Sequence, residues 1–359
     1  MTQTLKCVNI SQSNAPKTGN RGGKLSIENR LAAARGILLS KFGEFIPKVS
    51  ITLGSGLGYM TELLMDAQCC GYGDIPYCPA TTATGHAGEL WWGHLGGVPV
   101  VMLKGRSHLY EGHPISDVVF LTRLMIRCGV RELILTHAVG AVTRNLVLGD
   151  IVGIRSHIGF NCPDPTAGSD AMELGTEFTP MGNAYDPELL AIAARCALDW
   201  RISFHRGVSF FKPGRSYETA AEIEAMARAG ADVATMSTVP DVMAAAQMGA
   251  QVLDLALVTN LGTGLGNPAV PLSHEEVQAV AESMKLPFGQ YIRGIVVAMN
   301  NRPQQMSRMA QFIQGGRTQT SWRRLLIRQP IRPKGGNNNK EGYRANLPTI
   351  RVSQKPLFL

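Results

Sequence analysis

Residues Gly105-Arg106-Ser107-His108-Leu109-Tyr110-Glu111-Gly112 set a guanidinium, an imidazole and a phenol at every second position, directly after the apolar run Val98 to Leu103. In extended backbone, side chains two apart share a face, so Arg106, His108 and Tyr110 are expected to point into one cleft. Arg offers a planar fork for an oxyanion, His a further donor, and Tyr a hydroxyl for a neutral polar group. Such a set suits a phosphate held beside a sugar. In isolation the triplet is better read as a strand end whose polar residues face solvent; other groups along the chain overturn that reading.

Four further constellations supply that company. Gly54-Ser55-Gly56-Leu57-Gly58 follows the apolar run Val49 to Leu53, and its glycines let backbone N–H groups approach an anion. It lacks the Gly-Lys-Ser/Thr of a P-loop and the spacing of a dinucleotide site. Thr84-Gly85-His86-Ala87-Gly88 places a Gly-flanked imidazole in a loop, and Gly214-Arg215-Ser216-Tyr217-Glu218-Thr219 places an aromatic and a carboxylate after a strand. Met236-Ser237-Thr238-Val239-Pro240 opens a helix, Asn260 ends an apolar strand, and His274 begins another helix. Strand ends are where α/β proteins collect ligands.

These groups need elements to position them. Short apolar runs at Val49 to Leu53, Val98 to Leu103, Glu132 to Thr136, Asp150 to Ile154, Val208 to Phe211 and Val252 to Thr259 read as strands. Helical patterns at Ile115 to Cys128, Pro187 to Leu198, Thr219 to Arg228, Val239 to Met248 and Ser273 to Met299 lie between or after them. The fold class is therefore α/β, with a central mixed sheet flanked by helices. Pro163 to Tyr185 reads as a long, functional loop.

The chain of 359 residues carries a net charge of +8, but the excess sits at its ends. Residues 301–359 hold 12 Lys/Arg and one acid, and residues 1–24 hold four Lys/Arg and none; residues 25–300 are left with 19 basic and 26 acidic residues, a net of −7. Both ends read as disordered extensions, 1–24 and 301–359, around one domain at 25–300. Neither nucleic-acid nor membrane binding is expected. Seven scattered cysteines suggest free thiols in a reducing, cytoplasmic setting. No metal or cofactor is expected.

In order and approximate spacing, Gly54-Ser55-Gly56-Leu57-Gly58, Gly85-His86-Ala87-Gly88, Gly105-Arg106-x-His108-x-Tyr110-Glu111-Gly112, Tyr217-Glu218-Thr219, Met236 to Pro240, Thr259-Asn260 and His274-Glu275-Glu276-Val277 resemble the trimeric purine nucleoside phosphorylases. The likeness covers about residues 28–300. It implies phosphorolysis of 6-oxopurine (deoxy)ribonucleosides to free base and (deoxy)ribose 1-phosphate, with orthophosphate as co-substrate. Ser55, Arg106, His108, Ser237 and the Ala138 N–H would hold phosphate; Tyr110 and Met236 would line the ribose, and His274 would contact its 5′-hydroxyl. Tyr217 resembles the aromatic that packs on the base, while Glu218 and Asn260 would bind its polar edge. His86, His108, Glu218, Asn260 and His274 form the expected catalytic set. Phe178 looks like the residue lent to a neighbouring subunit, which implies a homotrimer.

An ionised Glu218 accepts from the N1–H of hypoxanthine or guanine, whereas adenine offers a lone pair there. Inosine and guanosine are therefore expected over adenosine. Two departures stand out: the family commonly reads Asn-Ala-Ala-Gly-Gly where this chain has His137-Ala138-Val139-Gly140-Ala141, and Arg215 replaces a usual Pro. They leave open a catalytically impaired nucleoside-binding homologue, and a methylthioadenosine- or xanthosine-preferring phosphorylase is a further alternative. A water-using nucleosidase would not need Ser55, Arg106 and His108 together.

Overall fold

The apolar runs become strands wherever both faces are covered. A computed structural model describes residues 25–83, 85–266 and 274–302; the side chain of His274 and the expected disorder of the extensions 1–24 and 301–359 lie outside the described residues, apart from residues 301 and 302. In chain order the strands are β1 (Val49–Leu53), β2 (Met65–Gly71), β3 (Glu89–Leu95), β4 (Val98–Lys104), β5 (Glu132–Ala141), β6 (Ile151–Ile158), β7 (Phe204–Phe211), β8 (Val233–Thr235) and β9 (Gln251–Leu261). The helices are α1 (Ile27–Phe42), α2 (Ile115–Val118), α3 (Phe120–Arg127), α4 (Ser169–Met172), α5 (Pro187–Asp199), α6 (Ala220–Arg228), α7 (Val239–Gln247), α8 (His274–Ser283) and α9 (Lys285–Asn301).

The sheet order is β2-β3-β4-β1-β5-β8-β7-β6-β9, and β9 returns to pair with β5. Strands β5, β8, β7, β6 and β9 thus close on themselves, with β1 to β4 extending from β5 as an open wing. The mixed sheet agrees with the expected class. In β5, Leu133 and Leu135 join one apolar cluster with α1 and α3, while Ile134 joins the other with α5 and α9. The period of two therefore sorts one strand between two cores.

Helix ends follow local chemistry. Ser26 accepts from the Asn29 N–H at the start of α1, and Asp186 caps α5 ahead of Pro187. Thr219 and Glu222 cap α6 reciprocally. Two long helical readings are divided: 115–128 breaks at Val119 into α2 and α3, and 273–299 breaks at Met284 into α8 and α9. Pro287, in the first turn of α9, is the sequence mark of the second break, while no proline or glycine marks the first. Strands β2, β3 and β8 are additions to the expected set, and β5 runs on to Ala141 because β9 pairs with it through that residue.

Among the described residues, Cys70, Cys78, Cys128, Cys162 and Cys196 are free thiols. Cys69 is disulfide-bonded, a departure from the expectation of thiols throughout. No helix among the described residues is long and apolar enough to cross a membrane.

Candidate functional site

Strands β1, β4, β5 and β9 run parallel, so their C-terminal ends meet at one rim. A cavity of about 490 Å³ opens there. Ser55 follows β1, Arg106 and His108 follow β4, and Ala138 lies in the extended end of β5. Met236 and Ser237 follow β8, Asn260 lies near the end of β9, and Tyr217 and Glu218 lead into α6. All of these line the cavity, with His86 and Tyr110.

The Arg106 guanidinium is the clearest sign of an anion site. Its side chain is buried, and Nη2 donates to the Thr136 carbonyl at 3.1 Å. Nε and Nη1 have no partner among the described residues. A buried cation with two idle donors is costly unless an anion meets it. Gly105 permits this approach: its φ is +113°, and a Cβ there would stand 2.8 Å from the His86 Cβ.

The expected alternation fails beyond His108. Arg106 leaves β4 and His108 is extended, but Leu109–Glu111 form a 3-10 turn. Tyr110 is nevertheless brought beside His108, their rings stacked at 4.5 Å. The turn also folds Glu111 back, so that its carboxylate accepts from the His108 N–H at 2.8 Å and lies 3.0 Å from Nδ1. Burial opposes charge on Glu111, yet hydrogen bonds from His108 and Thr82 outweigh it and hold the carboxyl far below its ordinary range. Burial lowers the pKa of His108, with Glu111 opposing the shift. Nδ1–H is thereby directed at Glu111, which leaves Nε2 for other partners.

His86 is similarly held, its Nδ1 against the Arg106 backbone at 2.9–3.0 Å and its Nε2 3.4 Å from Ser55 Oγ. Burial, helped by the neighbouring His108, lowers its pKa to about 4. Nδ1 thus faces both the N–H and the carbonyl of Arg106, while Nε2 faces the Ser55 hydroxyl.

At the opposite end, Asn260 and Glu218 are buried while Tyr217 is partly exposed. Gly140 makes room for the Asn260 amide, since a Cβ there would stand 2.9 Å from Nδ2. Burial raises the Glu218 pKa above the ordinary carboxylate value. Tyr110 is raised to about 12 by burial, so it stays a neutral hydroxyl.

Phe178 is not in this cavity; it is 87% exposed on the long loop. His274 opens α8 but its side chain is not described, whereas Glu275 and Val277 of that helix line the cavity. Thr235, Thr259 and Arg215 also line it and were not among the expected site residues. Thr235 directly precedes Met236, and that adjacency to a recognised motif is the one signal that could have found it. Arg215, at the position of a usual Pro, lies 5.8 Å over the Tyr110 ring.

Residues 48–296 match the family model described as Phosphorylase superfamily. The chain is 38% identical over 250 residues to Purine nucleoside phosphorylase 1 of Bacillus subtilis (strain 168), covering 70% of this chain and 92% of that protein. It is similar in structure to isoform 2 of the purine nucleoside phosphorylase of Schistosoma mansoni in complex with cytosine and ribose-1-phosphate, at 32% identity and a TM-score of 0.71, over 77% of this chain and 97% of that one. A Schistosoma mansoni purine nucleoside phosphorylase in complex with adenosine matches at 32% identity and a TM-score of 0.71, over 78% of this chain and 99% of the other.

Proposed function

Since the chain belongs to the Phosphorylase superfamily, we propose that it cleaves purine nucleosides with orthophosphate, preferring 6-oxopurine substrates such as inosine and guanosine. The observation that carries this reading is the buried Arg106 with two unpartnered nitrogens, in one cavity with a buried carboxylate and a buried amide. An anion site alone would serve many proteins. An anion site facing a base-sized polar clamp serves few.

In this reading Ser55, Arg106, His108, Ser237 and the Ala138 N–H hold phosphate beneath the sugar. His86 orients Ser55, and Glu111 orients His108. Tyr110 and Met236 flank the ribose, His274 takes the 5′-hydroxyl, and Tyr217 packs on the purine. A phosphate oxygen bonds to C1′ as the C1′–N9 bond breaks, and that electron pair leaves with the base. The base takes up one proton and hydrogen phosphate gives one up, so the step balances. Charge grows on the departing purine, where the Asn260 amide donates to O6 or N7 and Glu218 accepts from N1–H. The donors are fixed beforehand, which lowers the barrier without a covalent enzyme intermediate.

Burial raises Glu218, so the carboxylate is most at home when N1–H faces it. Adenine presents a lone pair instead, and the mismatch costs on the order of several kcal/mol. A related enzyme is seen with adenosine bound, so preference has to be read from turnover and not from occupancy. The assay is base release from inosine and adenosine, each with and without phosphate. Phosphate-dependent release with kcat/KM at least about 100-fold higher for inosine is expected. Release without phosphate would make the protein a hydrolase, and a preference for adenosine would overturn the roles of Glu218 and Asn260.

The exposed Phe178 fits a residue that completes a neighbour's site in a homotrimer. Sedimentation and a Phe178→Ala variant test this: a trimer that loses nucleoside affinity is the expected result.

A further inference from the structure

His137 lies in β5 beneath the anion end of the cavity, its side chain 3% exposed. Its Nε2 is 3.1 Å from Oδ1 of Asp254, a β9 residue with no solvent exposure. Those two atoms lack hydrogen-bond alignment, and neither has another partner among the described residues. The other Asp254 oxygen accepts from Thr238 Oγ1 at 2.9 Å. A neutral imidazole would leave both facing atoms unmet, whereas an imidazolium meets the carboxylate by charge, which needs no alignment.

The opposite edge of the ring touches two hydroxyls. Nδ1 is 2.9 Å from Thr235 Oγ1 and 3.5 Å from Ser237 Oγ, and those hydroxyl oxygens are 3.2 Å apart. Both nitrogens of an imidazolium donate, so Thr235 Oγ1 accepts from Nδ1 and its own O–H donates to Ser237 Oγ. The Ser237 hydroxyl then donates into the cavity. A neutral ring protonated at Nε2 reverses the chain: Nδ1 accepts from Thr235, and Thr235 accepts from Ser237, whose donor is withdrawn.

We propose that His137, paired with Asp254, is a positioning residue that sets the direction of the Thr235–Ser237 hydroxyl relay and so couples anion binding to its own protonation. This deepens the phosphorolysis reading and rests on it. The groups around the pair come from several elements. Asp241 of α7, also buried, interacts with Asp254 and with Arg106, and accepts from Thr122 Oγ1 at 2.6 Å. His157 of β6 and Tyr185 also interact with Asp254.

The test compares the phosphate KM of the wild type and His137→Asn from about pH 6 to about pH 8.5, at saturating inosine. Asn reaches Thr235 but does not titrate. The ratio of the two KM values cancels the ionisation of phosphate and of groups common to both proteins. Expected is a wild-type advantage that shrinks by about fivefold or more as pH rises, with the inosine KM changed by less than about twofold. Thr235→Val, which removes the relay hydroxyl at constant shape, is expected to lose the same pH-dependent advantage and decides the matter if the Asn variant does not fold. A ratio constant within about twofold across the range would overturn the relay while leaving the phosphorolysis reading intact. No phosphate-dependent turnover by the wild type would overturn that reading, and the relay with it.

Discussion

The two ends of the cavity are built on different principles. At the anion end, Arg106, His108 and His137 are buried, and each is fixed by a neighbour: the Thr136 carbonyl, Glu111 and Asp254. Their backbones belong to, or directly leave, strands near the middle of the sheet. At the other end Tyr217 is 43% exposed, and Glu218 sits in the irregular segment just before α6. Rigid strand ends hold donors that need no reorganisation when charge arrives. Turns and loops suit recognition, where one substituent must be told from another and where variation is tolerated. In the proposed reading the anion is held mostly by buried groups at strand ends, and the base by Asn260 of β9 together with the irregular segment that carries Tyr217 and Glu218.

Arg106→Ala gives the largest expected effect and sharpens the contrast most. Removing the buried Arg106 guanidinium from the anion end should lower kcat/KM for phosphate by about 10³-fold, with a smaller change in nucleoside affinity. Steady-state kinetics with each substrate varied in turn checks this. Equal losses for both substrates would mean that the two ends do not act separately.

Glu218→Gln comes next. It should lower kcat/KM for inosine by about 10²-fold and narrow the gap between inosine and adenosine, while the phosphate KM stays within about threefold. The same residue sets an acid limb. Its carboxylate is the accepting form, and burial raises its pKa, so activity falls as pH drops through a value above the ordinary 4.5. The limb should be absent from the pH profile of the Gln variant. His86, lowered to about 4, charges only below this window.

Gly140→Ala has the smallest expected effect of the three. A Cβ at that position stands 2.9 Å from the Asn260 Nδ2, so the amide must shift by a few tenths of an ångström. A loss of about tenfold in kcat on inosine is expected, with phosphate KM unchanged. A change confined to phosphate KM would break the division between the ends, because it would tie Asn260 to the anion.

Legibility in the sequence follows the same division. Arg106 and His108 are readable because a strand end and a period of two place them together, and that local geometry survives into the fold. Tyr110 is right in its location but wrong in its reason, since a 3-10 turn carries it to the ring of His108. Glu111 belongs to the recognised motif, yet its grip on His108 depends on that turn and on Thr82 from a distant segment. Strands β2, β3 and β8 go unread: β2 is partly polar, and β8 is three residues long. Thr235 and Asp254 are invisible as site components, because one is hidden in β8 and the other in an apolar strand.

By itself the sequence determined the α/β class and the polar residues of most of the cavity, since alternation, glycine spacing and motif order are local properties that each residue carries with it. Only the tertiary structure decided the closed pairing of β5 through β9, the length of β5, and the meeting of His137 with Asp254. The physical reason is range: a strand's last residues are held by the strand beside it, and a buried charge is defined by whatever partner the packing brings within about 3 Å.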